Sequence, residues 1–584
     1  MRNLEFRSLT LFLLAAVLTS CAMAQTDQGT VALGNTELVG TTVLGAGSYP
    51  TYNSISLPSL KPDYDLVEAR RDSVANAPAS EASTASIASP AALSIPSPRP
   101  NAIHNQAPAV AFEGLTTVDT AITNGFVTTP PDQGLCAGHG YVFEIINLSI
   151  VVFNDAGARV SVPQSVNSFF SADPATTFIS DPRCYYDTAT QRWFVSVTNV
   201  LNFVTGRSNL FLAVSHTSDP RGAYHIYSID TTDDGKHGTP ANPGCTAAHP
   251  CFGDQPTLGA DAYGVYLTTN EFNFVTGHFN GAQIYGISKA ALEAGTAPTL
   301  VHFRNLPLAE GIAYSVQPAS SPDLSSESAP GVEYFLSALD FSGTLDNRIA
   351  VWAMTNTSSL NNAVPNVSLS NVIVQCEVYG QPPKASQKAG PYPLGQALGN
   401  PEEFIASGDD RMQNVVYASD HLWGGLNTVV SDGNHANVGI AYFDVKPSVS
   451  ANGVNAKVQG QSYVSLAGNS VLYPGIGVTA DGTAAAAFTV TGPEYFPSAA
   501  YAHLTPAHAT GVTIVAAGGA PQDDFSGYPQ LYPPGAGVAR WGDYSWGVAD
   551  GGSLWLATEY IPGNINPLRF FTNFGTYVYK VDLQ

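Results

Sequence analysis

Charge is scarce in this chain. Only 12% of its 584 residues are charged, and 23 Lys plus Arg stand against 46 Asp plus Glu. The resulting net charge of −23 excludes nucleic acid and anionic membrane surfaces as partners, since both are held by basic footprints. Cations and neutral polymers such as glycans stay open as ligands. The helix builders Glu, Lys and Leu are under-used, whereas Gly (54), Pro (41), Tyr (27) and Phe (27) abound, a composition of strands and turns. Beyond the N-terminus no stretch of ~20 uninterrupted apolar residues exists, so no later segment reads as membrane-spanning. No C-x-x-C, G-x-S-x-G elbow, H-E-x-x-H helix, P-loop or EF-hand loop occurs. The commonest hydrolase, zinc and nucleotide signatures are therefore missing.

The first 24 residues read as an export signal: Arg2 and Arg7 precede an apolar run from Leu9 to Leu18, with small residues after it. Two processing readings stand side by side. Ala22-Met-Ala24 fits cleavage before Gln25, while Leu18-Thr-Ser-Cys21 resembles a lipobox that would lipidate Cys21. The product is secreted, periplasmic or outer-membrane-anchored, touching membrane only through a Cys21 anchor. Export permits disulfides, and Cys136, Cys184, Cys245, Cys251 and Cys376 remain. Cys245 and Cys251 flank a short turn and are the best local pair; zinc, the rival reading, would need a His from elsewhere. The odd count leaves one free thiol, with Cys376 the candidate.

Residues 25–108 read as a poorly ordered lead with a few strands at best, followed by an Ala/Ser/Pro linker from about Ser73 to Pro100 that has almost no aromatics. Residues 109–584 exceed a single ordinary core, which calls for a search for repeats. Asp181-Pro-Arg-Cys-Tyr-Tyr-Asp187 leads into a strand from Arg192, and Asp254 through Asp261 leads into one from Val265. Pro474 through Asp481 and Asp543 through Asp550 repeat the pattern. Weaker copies begin at Asp132 with His139, at Gln317-Pro318, and near Glu402 with Asp409. Asn-Phe-Val-Thr-Gly recurs verbatim from Asn202 and from Asn273, which points to duplication. Each copy opens with a hairpin and adds a third and often a fourth strand. The expected fold is an all-β propeller of about seven four-stranded blades, because radial packing hides every sheet edge. The last copy has space for three strands only, so Ala109–Leu115 is expected to supply the fourth and close the ring.

The Trp541-Gly-Asp-Tyr-Ser545 stretch, the Asp181…Asp187…Arg192-Trp-Phe block and Pro130-Pro-Asp132-Gln-Gly resemble exported bacterial β-propeller proteins of the sialidase-like, Asp-box kind. That resemblance covers about residues 110 to 584 and implies architecture. Its Asp-box has a counterpart at Ser218-Asp219-Pro-Arg-Gly222, with the Gly one place late, and the Arg-Ile-Pro motif is absent. No catalytic residue is carried over.

Asp132, Asp181, Asp254 and Asp543 share one position at the start of the innermost strands. As a ring at a channel mouth they would bind Ca²⁺; alternatively, each caps its own turn. No cofactor is required. Arg183 and Arg540 lie at the same level, with Arg348 and Arg411 near other strand starts. Glu271, Glu402, Glu403 and Glu559 are candidates for a carboxyl pair that cleaves glycosides. Tyr392, Trp423, Tyr495 and Trp546 are expected as exposed aromatics for stacking on sugars. Two functions are compatible with these residues: a binding or scaffold propeller for a glycan or protein ligand, and a glycan-active hydrolase or lyase with its site at the channel mouth.

Overall fold

The structure, a computed structural model, describes residues 29–45, 93–202, 205–239, 241–246, 248–308, 311–322, 331–339, 343–399, 404–532, 537–563 and 572–582. The signal with Cys21, most of the linker, and Glu402 and Glu403 lie outside the described residues.

The strands form antiparallel meanders in chain order, the fourth and fifth of which are joined by parallel pairing of Ala319 and Ser320 with Val415 and Val416. Sheet I holds Gly134–Gly138, Tyr141–Ile146, Ser149–Asn154 and Gln164–Ser165. Sheet II holds Thr177–Asp187, Arg192–Asn202, Arg207–Ser215 and Ala223–Asp230. Sheet III holds Cys251–Ala260, Gly264–Asn273, Phe279–Ser288 and Thr299–Arg304. Sheet IV runs from Gln317–Ser320 through Val332–Ala338 and Leu345–Thr355 to Ser368–Gly380. Sheet V comprises Val415–Ala418, His421–Ser431, Ala436–Ser450 and Gly453–Val464, and sheet VI comprises Ser470–Val478, Ala484–Gly492, Tyr495–Leu504 and Val512–Ala516. Sheet VII has Trp546–Asp550, Ser553–Tyr560 and Gly575–Asp582, and takes Val110–Thr116 as its fourth strand.

The first strand of each sheet packs against the first strand of the next, I to II and onward to VII, and VII returns to I. The apolar cores follow the same circuit. Val195 and Val197 face Phe143 and Ile145 of sheet I, whereas their neighbour Phe194 joins Leu267 and Tyr285 of sheet III. A strand such as Arg192–Asn202 (RWFVSVTNVLN) is therefore apolar on both faces, because both are covered by other sheets. The remaining seams are filled likewise, with Trp352 and Phe335 between III and IV, and Trp555 and Val578 of VII against Leu135 and Val142 of I. This is the β-propeller expected from the repeats. It is closed as expected too: Lys580, Tyr579 and Val578 pair with Val110, Ala111 and Phe112.

Two details differ from the sequence reading. The weak copy near Glu402 and Asp409 is out of register: the first hairpin of sheet V turns at Ser419 and Asp420, both left-handed, between Val415–Ala418 and His421–Ser431. Asp409 belongs to the loop before that strand, where it pairs with Arg411. Segments before residue 109 also join the sheets. Thr30–Asn35 adds an outer strand to sheet III, Glu37–Val43 one to sheet II, and Ile103–His104 pairs in parallel with sheet VI. Outer edges left open by four-stranded units are thereby capped.

Cys245–Cys251 form the local disulfide, and Cys136–Cys184 tie the first strands of sheets I and II together. Among the described residues Cys376 is the unpaired cysteine, half-buried on the last strand of sheet IV. No helix among the described residues is long and apolar enough to cross a membrane.

Candidate functional site: the polar mouth of the channel

The innermost strands are kinked toward one end of the ring. Asp132 (φ +41°), Asp181 (+54°), Gln255 (+51°), Ser315 (+43°) and Tyr473 (+53°) are all left-handed there, a conformation that non-glycine residues hold only when the surroundings fix them. Side chains of neighbouring sheets do the fixing. Asn147 of sheet I accepts the Asp181 N–H at 3.0 Å, Asn270 of sheet III accepts the Ser315 N–H at 2.8 Å, and Asn427 of sheet V accepts the Tyr473 N–H at 2.7 Å.

Of the four aspartates singled out, three are brought together. Asp132 is fully buried; its Oδ1 accepts the Asp543 N–H at 2.9 Å and its Oδ2 accepts Asn147 Nδ2 at 2.8 Å. Asp181 is tied to the same Asn147, and its charge reaches Tyr544, the neighbour of Asp543. Asp254 holds the corresponding place in sheet III, opposite Asn270 in register and before the bulge that ends at Thr257. The second-position aspartates lie at the other ends of these strands and cap turns: Asp187 accepts the Ala189 and Thr190 N–H groups, and Asp261 those of Tyr263 and Gly264.

Arg183 stacks its guanidinium 3.5 Å from the Tyr544 ring centre and 5.8 Å from that of Trp546. Arg540 instead donates to the Thr129 carbonyl at 2.6 Å, beside the buried Asp524. Arg411 comes in from the loop before sheet V, paired with Asp409 and close enough to Asp543 and Tyr544 to feel both. Burial pushes the Asp409 carboxyl up, but Arg411 outweighs it and leaves the group ionised below its ordinary range. Arg348 pairs with Asp346 on the third strand of sheet IV.

Glu559, at the end of the second strand of sheet VII, completes the cluster. Its Oε2 accepts the Gly542 N–H at 2.7 Å. A Cβ on Gly542 would stand 2.8 Å from that oxygen and 3.7 Å from Asp132 Oδ1, so the two carboxyls flank one glycine. Burial, with the charges of Asp132, Asp524 and Asp543 added, holds Glu559 well above the ordinary carboxyl range against that single N–H bond. Glu559 thus holds its proton more tightly than an exposed carboxyl does, and it faces Asp132. The sequence offered Glu559 only as one of several acids; what distinguishes it is burial against a fold-distant loop.

Several buried polar atoms here have no hydrogen-bond partner: both amide atoms of Gln133, Arg183 Nη2, Arg411 Nη1, the hydroxyls of Tyr473 and Tyr544, and Glu559 Oε1. Such atoms are rare in folded proteins, and their concentration around one aspartate pair marks a place that water or a polar ligand completes. Tyr473 and Tyr544 are themselves held protonated by burial and by nearby carboxylates, so they act as donors.

On sheet II, beside the loop of residues 171–176 that leads into it, a polar groove of about 390 Å³ opens at the end where its first strand begins. Asn199 Nδ2 donates to Asn209 Oδ1 and Asn209 Nδ2 to Ser228 Oγ, a row of amides and hydroxyls beside the half-buried Phe211. Arg207 is neutralised by Asp230 and Asp234, and Glu37 and Asp173 add negative charge to the lining. Of the aromatics expected on exposed loops, Trp423 and Tyr392 are buried, Trp423 in the core between sheets V and VI. Trp423 faces inward because it sits in a strand covered on both sides, not in a loop.

No protein-family model and no curated protein sequence matches the chain. Among solved structures, an endo-1,5-α-L-arabinanase from Thermotoga petrophila is 9% identical, covering 84% of this chain and all of that one, with a TM-score of 0.25. An exo-β-1,3-galactanase from Clostridium thermocellum is 10% identical over 68% and 78% of the two chains, with a TM-score of 0.26. A protein of unknown function from Dyadobacter fermentans is 10% identical over 70% and 95%, with a TM-score of 0.28. Likeness at this level carries no argument about this chain, whose propeller architecture rests on its own sheets and seams.

Proposed function

We propose that this chain is an exported seven-bladed propeller that acts on glycans, with its reaction at the channel mouth. The observation that supports this reading is the convergence of Glu559, Asp132, Asp543, Arg183, Arg411, Tyr473 and Tyr544, among which several buried polar atoms lack partners. Two carboxyls flanking one glycine are what hydrolysis of a glycosidic bond uses, one group giving a proton to the leaving oxygen and the other acting as base toward water or as nucleophile. Glu559 is assigned the acid role and Asp132 the base, with the arginines and tyrosines as donors to sugar oxygens. The groove on sheet II suits an uncharged chain, because amides and hydroxyls match groups that both donate and accept, while the acidic lining repels anionic polymers. That preference favours a hydrolase over a lyase, whose elimination needs a uronate.

A binding propeller without turnover is the second reading, favoured by how tightly Asp132 and Asp181 are tied into the ring through Asn147. Incubating the purified propeller with a panel of neutral and acidic polysaccharides separates the two. Release of reducing ends supports hydrolysis, and retention on an immobilised glycan without release supports binding alone. Neither result on any polysaccharide contradicts both.

A further inference from the structure

A second carboxyl pair, unrelated to the channel, lies buried under the long loop that joins sheets II and III. Asp233 is left-handed (φ +53°) and wholly buried, and it faces Glu271 of the second strand of sheet III, which is 1% exposed. Asn242, also buried, donates its Nδ2 to Glu271 Oε2 at 2.5 Å, and its backbone N–H binds the Asp233 carbonyl at 2.7 Å. Neither oxygen of Asp233, nor Glu271 Oε1, nor Asn242 Oδ1 has a donor in bonding geometry. The Cys245–Cys251 disulfide closes the loop beside Glu271, its sulfurs receiving the Asn280 amide.

The charge around this pair does not balance. The other groups facing it are His302, Gln283, Thr239, Asp230 and Arg304. His302 is engaged elsewhere, its Nε2 bonding Gln283 Oε1 at 2.9 Å. Asp230 is engaged by Arg207. Among the described residues, Arg304 is the cation whose charge reaches Glu271, set against Asp233 and Glu271 together. Two facing carboxyls in a dry site need either a shared proton or a metal ion. The unpartnered atoms are oxygens of two carboxyls and a carboxamide, and the disulfide withdraws the soft sulfur ligands, so the set matches a hard cation.

We infer that Asp233, Glu271 and Asn242 hold a calcium ion that pins the loop between sheets II and III to the propeller. The site is separate from the aspartates at the channel mouth, and its occupancy is independent of catalysis. The test uses the full-length exported protein, stripped with EDTA and dialysed metal-free. Equilibrium dialysis against ⁴⁵Ca²⁺ is expected to show one ion per chain with a Kd of ~10 µM or tighter, and 1 mM Ca²⁺ to raise Tm by at least ~3 °C. Asp233→Asn is expected to lose both effects, and Asn242→Ala, a milder change, to weaken binding at least ~10-fold. Absence of bound ⁴⁵Ca²⁺ with an unchanged Tm would overturn the inference in favour of a shared proton. So would calcium binding that survives both substitutions, which would place the ion elsewhere.

Discussion

Asn147 Oδ1 accepts the backbone N–H of Asp181 at 3.0 Å across the seam between sheets I and II, while the same side chain donates to Asp132. One amide thereby ties the bends of two inner strands; Asn270 likewise joins Gln255 and Ser315, and Asn427 accepts the Tyr473 N–H at the seam of sheets V and VI. Replacing any of the three by Ala leaves a buried N–H without an acceptor, which costs about 1–3 kcal/mol. Urea unfolding should show that loss for Asn147→Ala, Asn270→Ala and Asn427→Ala alike. A loss below ~0.5 kcal/mol at all three would mean that these amides follow the kinks and do not hold them.

The closing seam carries its own pH dependence. Glu144 of sheet I accepts the Leu115 N–H at 2.9 Å and meets Thr576, so it joins both chain-end strands of sheet VII, and burial, against those hydrogen bonds, raises its pKa to about 7. A carboxyl raised on folding stabilises fully below its unfolded value and loses that stability as pH rises through the folded value. Stability should therefore fall between about pH 4.5 and 7.5, with Glu144 contributing up to about 3 kcal/mol. Glu144→Gln mimics the protonated form. Denaturant melts should find it equal to the parent near pH 4.5 and more stable at pH 8; equal slopes across that range would contradict the assignment.

The two disulfides should differ in worth. Cys136–Cys184 closes a separation of 48 residues and Cys245–Cys251 one of 6. Chain-entropy reasoning gives about 4 kcal/mol for the longer loop and about 2 for the shorter. Guanidinium unfolding of the paired Cys→Ala variants should show the larger loss for the bond between sheets I and II. A reversed order would mean that the short loop stores something besides entropy, such as the calcium site beside it.

The ring was legible in the sequence because duplication repeats its hairpins: Asp187, Asp261, Asp481 and Asp550 mark turns at fixed distances from aromatic or β-branched strands. Sheet V was misplaced because its turn residues, Ser419 and Asp420, lack the glycine that signals a hairpin, while Asp409 and Glu402 lie nearby and look alike. Asp132 and Asp543 could be seen as equivalent, but not as neighbours, since 411 residues separate them and only ring closure brings them to 2.9 Å. Glu559 could be named only as one acid among several, and Tyr473 and the Asn147, Asn270 and Asn427 clasps went unseen, for the same reason: each meets its partners across the ring and not along the chain. Glu271 was visible as an acid, yet its partner Asp233 comes from a loop whose path no periodicity predicts.

The account's central claim is that the polar cluster at the channel mouth cleaves a glycan with Glu559 as the acid. The direct measurement is turnover by the parent protein and by Glu559→Gln on whichever neutral polysaccharide the parent degrades, with binding to the same polymer measured alongside. The account predicts a loss of at least ~100-fold in kcat for Glu559→Gln, with binding retained, because removing a general acid removes that much. Cleavage by Glu559→Gln at the parent rate would contradict it.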